Sequence, residues 1–124
     1  MQIVHLRVRA AAMLLMVMAL AACHGYKVHP GAVNTFDSKA YDSLLVAQSV
    51  IKTARTQFDS GALDAKFKPA VNKLVERYNE AMPAYKAWHT AMESGAAMEA
   101  EKLEKLKVML AAVDAAVLAF QEAK

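Results

Sequence analysis

Four histidines, one cysteine, a pair of glutamates and a cluster of aromatic rings are the residues whose chemistry could be put to work in this chain. His24 and His29 flank Gly25-Tyr26-Lys27-Val28, and two imidazoles so placed could hold a metal ion loosely. No carboxylate lies between them, and a pair on irregular backbone makes a poor selective site, so solvent-exposed imidazoles are expected there. His5 sits among the first residues, before a long apolar run, and His89 follows Trp88. His89 is expected half-buried or at the surface, on the edge of an apolar helix face. Glu76 and Glu80 are one helical turn apart, as carboxylate ligands in helical bundles are. A di-metal bundle site needs Glu-x-x-His elements on facing helices, and the sequence has none. With Lys73 and Arg77 beside them, the two glutamates read as an ordinary charged face. Ser38, Ser43, Ser49, Ser60 and Ser94 have no base at a fixed geometric relation, and no glycine-rich phosphate cradle is present. The single cysteine, Cys23, rules out an intramolecular disulfide and every zinc site built from two or more thiolates. The expectation is a chain that is not an enzyme, with no metal and no cofactor.

The aromatic residues raise a second question. Tyr78, Tyr85 and Trp88 crowd around Pro83, beside Met82 and Met92. A bend lined by large rings could open a groove for an apolar ligand or a partner segment, with Tyr78, Met82, Tyr85 and Trp88 lining it. The competing expectation is that the rings fill the core against an alanine-rich helix, large residues opposite small ones.

The elements that would position these residues are all helical. At 124 residues and 13.5 kDa the chain allows one domain at most. Ala40, Leu44, Ala47, Ile51, Ala54 and Phe58 follow alternating spacings of four and three. That is an apolar seam on one helix face, with Tyr41 and Val50 expected to widen it. Asn34, Thr35 or Asp37 can cap its start, Gly61 can end it, and the expected span is 37–59. Phe67, Val71, Leu74, Tyr78, Ala81, Tyr85, Trp88 and Met92 continue the rhythm in a second segment, 64–93, with Asp64 as its cap. Pro69 suits a first turn. Pro83 falls mid-pattern and removes one backbone bond, yet the seam keeps its register, so one bent helix is expected. Ser94-Gly95 ends that segment. Leu103, Leu106, Leu110, Val113, Val117 and Phe120 form the third seam, over 97–123, with Ala111, Ala112, Ala115, Ala116 and Ala119 between them. Alanine favours helix and lets helices approach closely. Glu101 with Lys105 and Glu104 with Lys107 are helix-spaced opposite charges. The fold class is therefore all-α: three amphipathic helices over 37–124, packed as an antiparallel up-down-up bundle. A helical hairpin that dimerises through unused seam is the structural alternative.

The first residues follow a different logic. Met1–Arg9 carry Arg7, Arg9 and no acid, and Ala10–Ala22 form an unbroken apolar run of 13 residues ending in Leu20-Ala21-Ala22-Cys23. As a helix that run reaches about 20 Å, short of a bilayer core of roughly 30 Å. A basic start followed by a short apolar run reads as a secretory signal. The box Leu20-Ala21-Ala22-Cys23 resembles the lipobox of bacterial lipoproteins. The resemblance implies that residues 1–22 are cleaved as a signal peptide, that the Cys23 thiol receives a diacylglyceryl group, and that the new amine is usually acylated as well. Several acyl chains anchor a protein far better than one. Residues 23–36 would then be the lipidated cysteine and a flexible tether. His24 stands after the cysteine where an Asp would favour inner-membrane retention, so the resemblance leans toward the outer membrane, with the bundle facing the periplasm or the cell exterior. Residues 29–51, HPGAVNTFDSKAYDSLLVAQSVI, also look like a stretch of small helical bacterial lipoproteins, a resemblance that implies no activity.

Cleavage changes the charge balance. The whole chain carries +3; removing Arg7 and Arg9, and no acid, leaves 13 Lys+Arg against 12 Asp+Glu. No basic patch remains to argue for nucleic acid. The last residue, Lys124, gives a resemblance to helical outer-membrane lipoproteins that end in a lysine joined to peptidoglycan; a terminal-turn lysine is also what a helix dipole favours. Together these readings lead to an expected function: a membrane-anchored envelope lipoprotein with a structural or protein-binding role. Its partners would be the membrane through Cys23, an envelope protein or peptidoglycan, and a weakly associating second copy. The alternatives are a small-ligand or lipid binder using the groove near Pro83, and a peptidoglycan-linked spacer through Lys124.

Overall fold

A computed structural model describes residues 30–124. Three helices pack against one another: α1 (Thr35–Asp59), α2 (Lys68–Glu93), which follows a single 3₁₀ turn (Ala65–Phe67), and α3 (Ala100–Ala123). The first turn of α1 meets the last turns of α2 through Asp37, Tyr85 and His89. Ala54 near the end of α1, Val71 at the start of α2 and Phe120 at the end of α3 share one buried cluster. The course is thus up, down, up, and all the described regular structure is helical.

Each boundary has a local cause. Asn34 caps α1, its side-chain oxygen accepting the Asp37 N–H at 2.9 Å. The expected tether is correspondingly shorter in its described part: Thr35 and Phe36 already belong to α1. Asp64 does cap, but what it caps is the 3₁₀ turn, by accepting the Lys66 N–H at 2.8 Å. α2 starts only at Lys68, with Pro69 in its first turn, where a missing N–H costs little. One helix runs through Pro83, which is exposed. Gly95, at φ +72°, closes α2: its own N–H reaches the Met92 carbonyl and the Ala96 N–H reaches that of Ala91. Residues 96–99 belong to no helix, so α3 begins three residues later than its apolar pattern suggested.

The buried residues are largely the expected seams. Ala40, Leu44, Ala47, Ile51 and Ala54 from α1, Val71, Leu74, Ala81, Tyr85 and Trp88 from α2, and Leu106, Leu110, Val113, Val117 and Phe120 from α3 make the core. Burying each large apolar side chain contributes roughly 1.5–3 kcal/mol. Two expectations need correction. Tyr41 does not widen the α1 seam; it is exposed, because one residue step turns it about 100° around the helix from Ala40, off the stripe of Ala40, Leu44, Ala47, Ile51 and Ala54. The alanines of α3 meet the expectation only in part: Ala116 packs on the core cluster that holds Tyr85 and Trp88, and Ala112 is half-buried. Trp88 packs edge-on against Phe36 of α1 at 5.0 Å between centroids, while Ala111, Ala115 and Ala119 face outward.

Candidate functional site

The one described cluster in which polar side chains converge inside the fold lies where α1 begins and α2 ends. Asp37 occupies the third position of α1, a place where an acidic side chain can reach back to free N–H groups ahead of the helix. Its carboxylate accepts the Val33 N–H at 2.8 Å. It also accepts the Tyr85 hydroxyl at 2.7 Å, and His89 Nδ1 stands 2.9 Å from its other oxygen. Tyr85 and His89 are four residues apart and so share one face of α2, which the packing of α2 on α1 turns toward Asp37. The carboxylate is only 1% exposed. A buried carboxylate persists only if its lone pairs are filled, and here three donors fill them.

The electrostatics follow from this arrangement. Burial pushes the Asp37 pKa up, but the Val33 N–H, the Tyr85 hydroxyl and His89 outweigh it and hold the group below its ordinary value. Burial lowers the His89 pKa, and the hydrogen bond and charge of Asp37, then Glu93, overcome this and raise it. Burial and the hydrogen bond to Asp37 both push the Tyr85 phenol far up, so its proton stays on oxygen. His89 Nε2 lies 3.1 Å from a Glu93 oxygen. Both ring nitrogens therefore face carboxylates, a geometry that a doubly protonated imidazolium satisfies and a neutral ring satisfies on one side only. The cluster ties two helices together, and in its doubly protonated form the His89 ring has no free lone pair to act as a base.

Around the tie lies an open depression of about 440 Å³, bordered by Pro30, Gly31, Ala32, Tyr41, Tyr85 and His89. The four residues expected to line a groove near Pro83 are divided among different surroundings. Trp88 is in the core. Tyr85 and Met82 border a small depression of about 180 Å³ with Tyr41, Leu45 and Lys86. Tyr78 borders another, between α1 and α2, with Lys52 and Arg55. Lys124 follows the end of α3, its ammonium 5.2 Å from the centre of the Phe120 ring. Cys23, His24 and His29 lie outside the described residues, as do residues 1–22.

Glu80 pairs with Arg77 at 3.0 Å, and the pairs Glu101–Lys105 and Glu104–Lys107 form at 2.8 and 2.7 Å. Among the described residues no group of three or more His, Cys, Asp or Glu is disposed to hold a metal ion, and no described helix is long and apolar enough to cross a membrane. No protein-family model matches the chain, nor does any curated protein or solved structure.

Sequence reasoning missed the tie. Asp37 was legible as a capping residue and His89 as the edge of a seam, but nothing in their spacing joins them. A sequence signal did exist: an acid in the first turn of one helix, and a Tyr and a His one turn apart at the far end of the next, antiparallel helix.

Proposed function

We propose that this protein is an envelope lipoprotein, anchored through a lipidated Cys23, whose helical bundle has a structural or protein-binding role. The observation that carries the reading is the box Leu20-Ala21-Ala22-Cys23, behind a basic start and a 13-residue apolar run. The bundle supports it by where it begins. Seven residue steps separate Cys23 from Pro30, so an anchored Cys23 holds Pro30, which borders the same depression as Asp37 and His89, within about 25 Å of the lipid surface. The end of the bundle carrying Asp37, His89 and the α2–α3 connection would then face the membrane. The other end, with Lys66, Lys68 and Lys124, would stand about 37 Å farther out, the length of a 25-residue helix. A binding role is favoured over a chemical one because the convergent polar groups are committed to one another, while exposed apolar residues gather on an outer helix face.

The test is the intact mass of the full-length gene product, extracted with detergent from cell envelopes after peptidoglycan digestion. The expected mass is that of residues 23–124 plus diacylglyceryl and acyl groups. A muropeptide on Lys124 in addition would make the protein a wall-linked spacer. An unlipidated chain that retains residues 1–22 overturns the reading.

A further inference from the structure

The most exposed large apolar residues described are Val108, at 69%, and Leu118, at 57%. Both lie on α3, and with the exposed Ala111 and Ala115 between them they repeat at spacings of three, four and three. This is a second apolar seam, opposite the one that faces the core. Such spacing is what one helix presents to another in a coiled coil. Beside it, between α2 and α3, runs an apolar depression of about 570 Å³ lined by Pro69, Ala70, Ala112, Ala116 and Ala119, where the small residues leave room for a neighbouring helix.

The charges flanking the seam indicate what covers it. On the α2 side stand Lys73, which makes no ion pair among the described residues, and Arg77, which is paired with Glu80. On the α1 side stand Lys107, which is paired with Glu104 at 2.7 Å, and Asp114, whose described contact is a 3.3 Å hydrogen bond from the Ser43 hydroxyl. One edge of the seam thus offers an unpaired cation and the other an anion without an ion-pair partner. When two copies meet face to face about a two-fold axis parallel to α3, the α2 flank of each lies against the α1 flank of the other. Cation then meets anion twice. A two-fold axis perpendicular to α3 would set each flank against its own kind.

We infer that the outer face of α3 is a docking surface for a second copy of this chain, with the two α3 helices parallel and in register. Val108, Ala111, Ala115 and Leu118 each meet their own counterpart, and Asp114 approaches Lys73 of the other copy. The surface is narrow, so association in dilute solution is weak. The inference stands on the described residues alone. If Cys23 is anchored as proposed, both copies hang from one membrane with the same end down, which only the parallel arrangement permits, and confinement raises their effective concentration.

The test is thiol cross-linking of the full-length chain in intact envelopes. Ala111→Cys and Leu118→Cys are each expected to trap a dimer at several times the yield of Leu45→Cys, which is similarly exposed on α1. Asp114→Lys should lower the yield of Leu118→Cys several-fold, and adding Lys73→Asp should restore it. Yields at positions 111 and 118 no higher than at position 45 overturn the proposal. So does a preference for joining Val108→Cys in one copy to Leu118→Cys in another, the mark of an antiparallel pair. The unaltered chain is the control: a Cys23 cross-link there means a free thiol, which sinks the lipoprotein reading without touching the dimer. In that case the dimer is read by light scattering of the alkylated chain over rising concentration, where the mass must climb from one copy toward two and Val108→Glu with Leu118→Glu must hold it at one. A mass that stays at one copy, or that the two substitutions leave unchanged, overturns it.

Discussion

The Tyr85 hydroxyl donates to a buried oxygen of Asp37 at 2.7 Å, joining the first turn of α1 to the last turns of α2 across 48 positions of sequence. The bond is charge-assisted and shielded from water, the condition in which a single hydrogen bond contributes most. Tyr85→Phe keeps the ring in the core and removes only the donor. It is expected to destabilise the fold by roughly 1.5–3 kcal/mol, the range for a hydrogen bond to a charged group. Denaturant unfolding followed by circular dichroism measures this. A loss below about 0.5 kcal/mol would mean that the bond is replaced by water.

The same tie predicts a pH dependence. His89 has a folded pKa raised above its ordinary 6.5, so its contribution is fully present below that value and is lost as pH rises through the folded pKa. Asp37 has a folded pKa lowered from 3.8, so its contribution is present above that value and lost as pH falls through the lowered one. The groups facing His89 are Asp37, Tyr85 and Glu93. Stability from the tie is therefore greatest between the two ordinary values. The unfolding midpoint should be higher at about pH 5.5 than at about pH 9, and His89→Gln should shrink the difference. An equal difference in the variant would assign the pH effect to other groups.

Trp88 is 2% exposed and edge-packed on Phe36. Trp88→Ala removes the largest side chain of the core and should cost about 3–5 kcal/mol. Phe36→Leu, which keeps volume but loses the ring contact, should cost roughly 1 kcal/mol. If the two variants cost the same, the aromatic geometry rather than the filled volume is what matters at this end of the bundle.

Gly95 sits at φ +72° with open space where a side chain would point. Gly95→Ala meets no neighbour, so its whole cost is backbone strain in the left-handed region, about 1 kcal/mol. Gly61, at φ +73° and equally unobstructed, should behave alike. A neutral Gly95→Ala would show that the α2–α3 connection relaxes into another conformation.

The three helices and most of their buried residues could be read from the chain itself, because a helical seam is a local property. Leu44, Ile51, Leu74, Trp88, Leu110 and Val113 declare their common face by spacing alone, and Gly61 and Gly95 mark stops that any backbone would respect. The Leu20-Ala21-Ala22-Cys23 box is likewise a linear signal. What only the tertiary structure decided is which distant residues meet. Asp37 and His89 are 52 positions apart, and neither carries a sign of the other, since a capping acid and a seam-edge histidine look the same whether they touch or not. Tyr41 looked like seam and is surface, and of the α3 alanines Ala116 packs on the core with the rings while Ala111, Ala115 and Ala119 face outward. Three helices enclose one line of contact, so each helix can bury only its central stripe. Which flanking residues fall inside is set by the rotation of the helices against one another, a quantity no single helix contains.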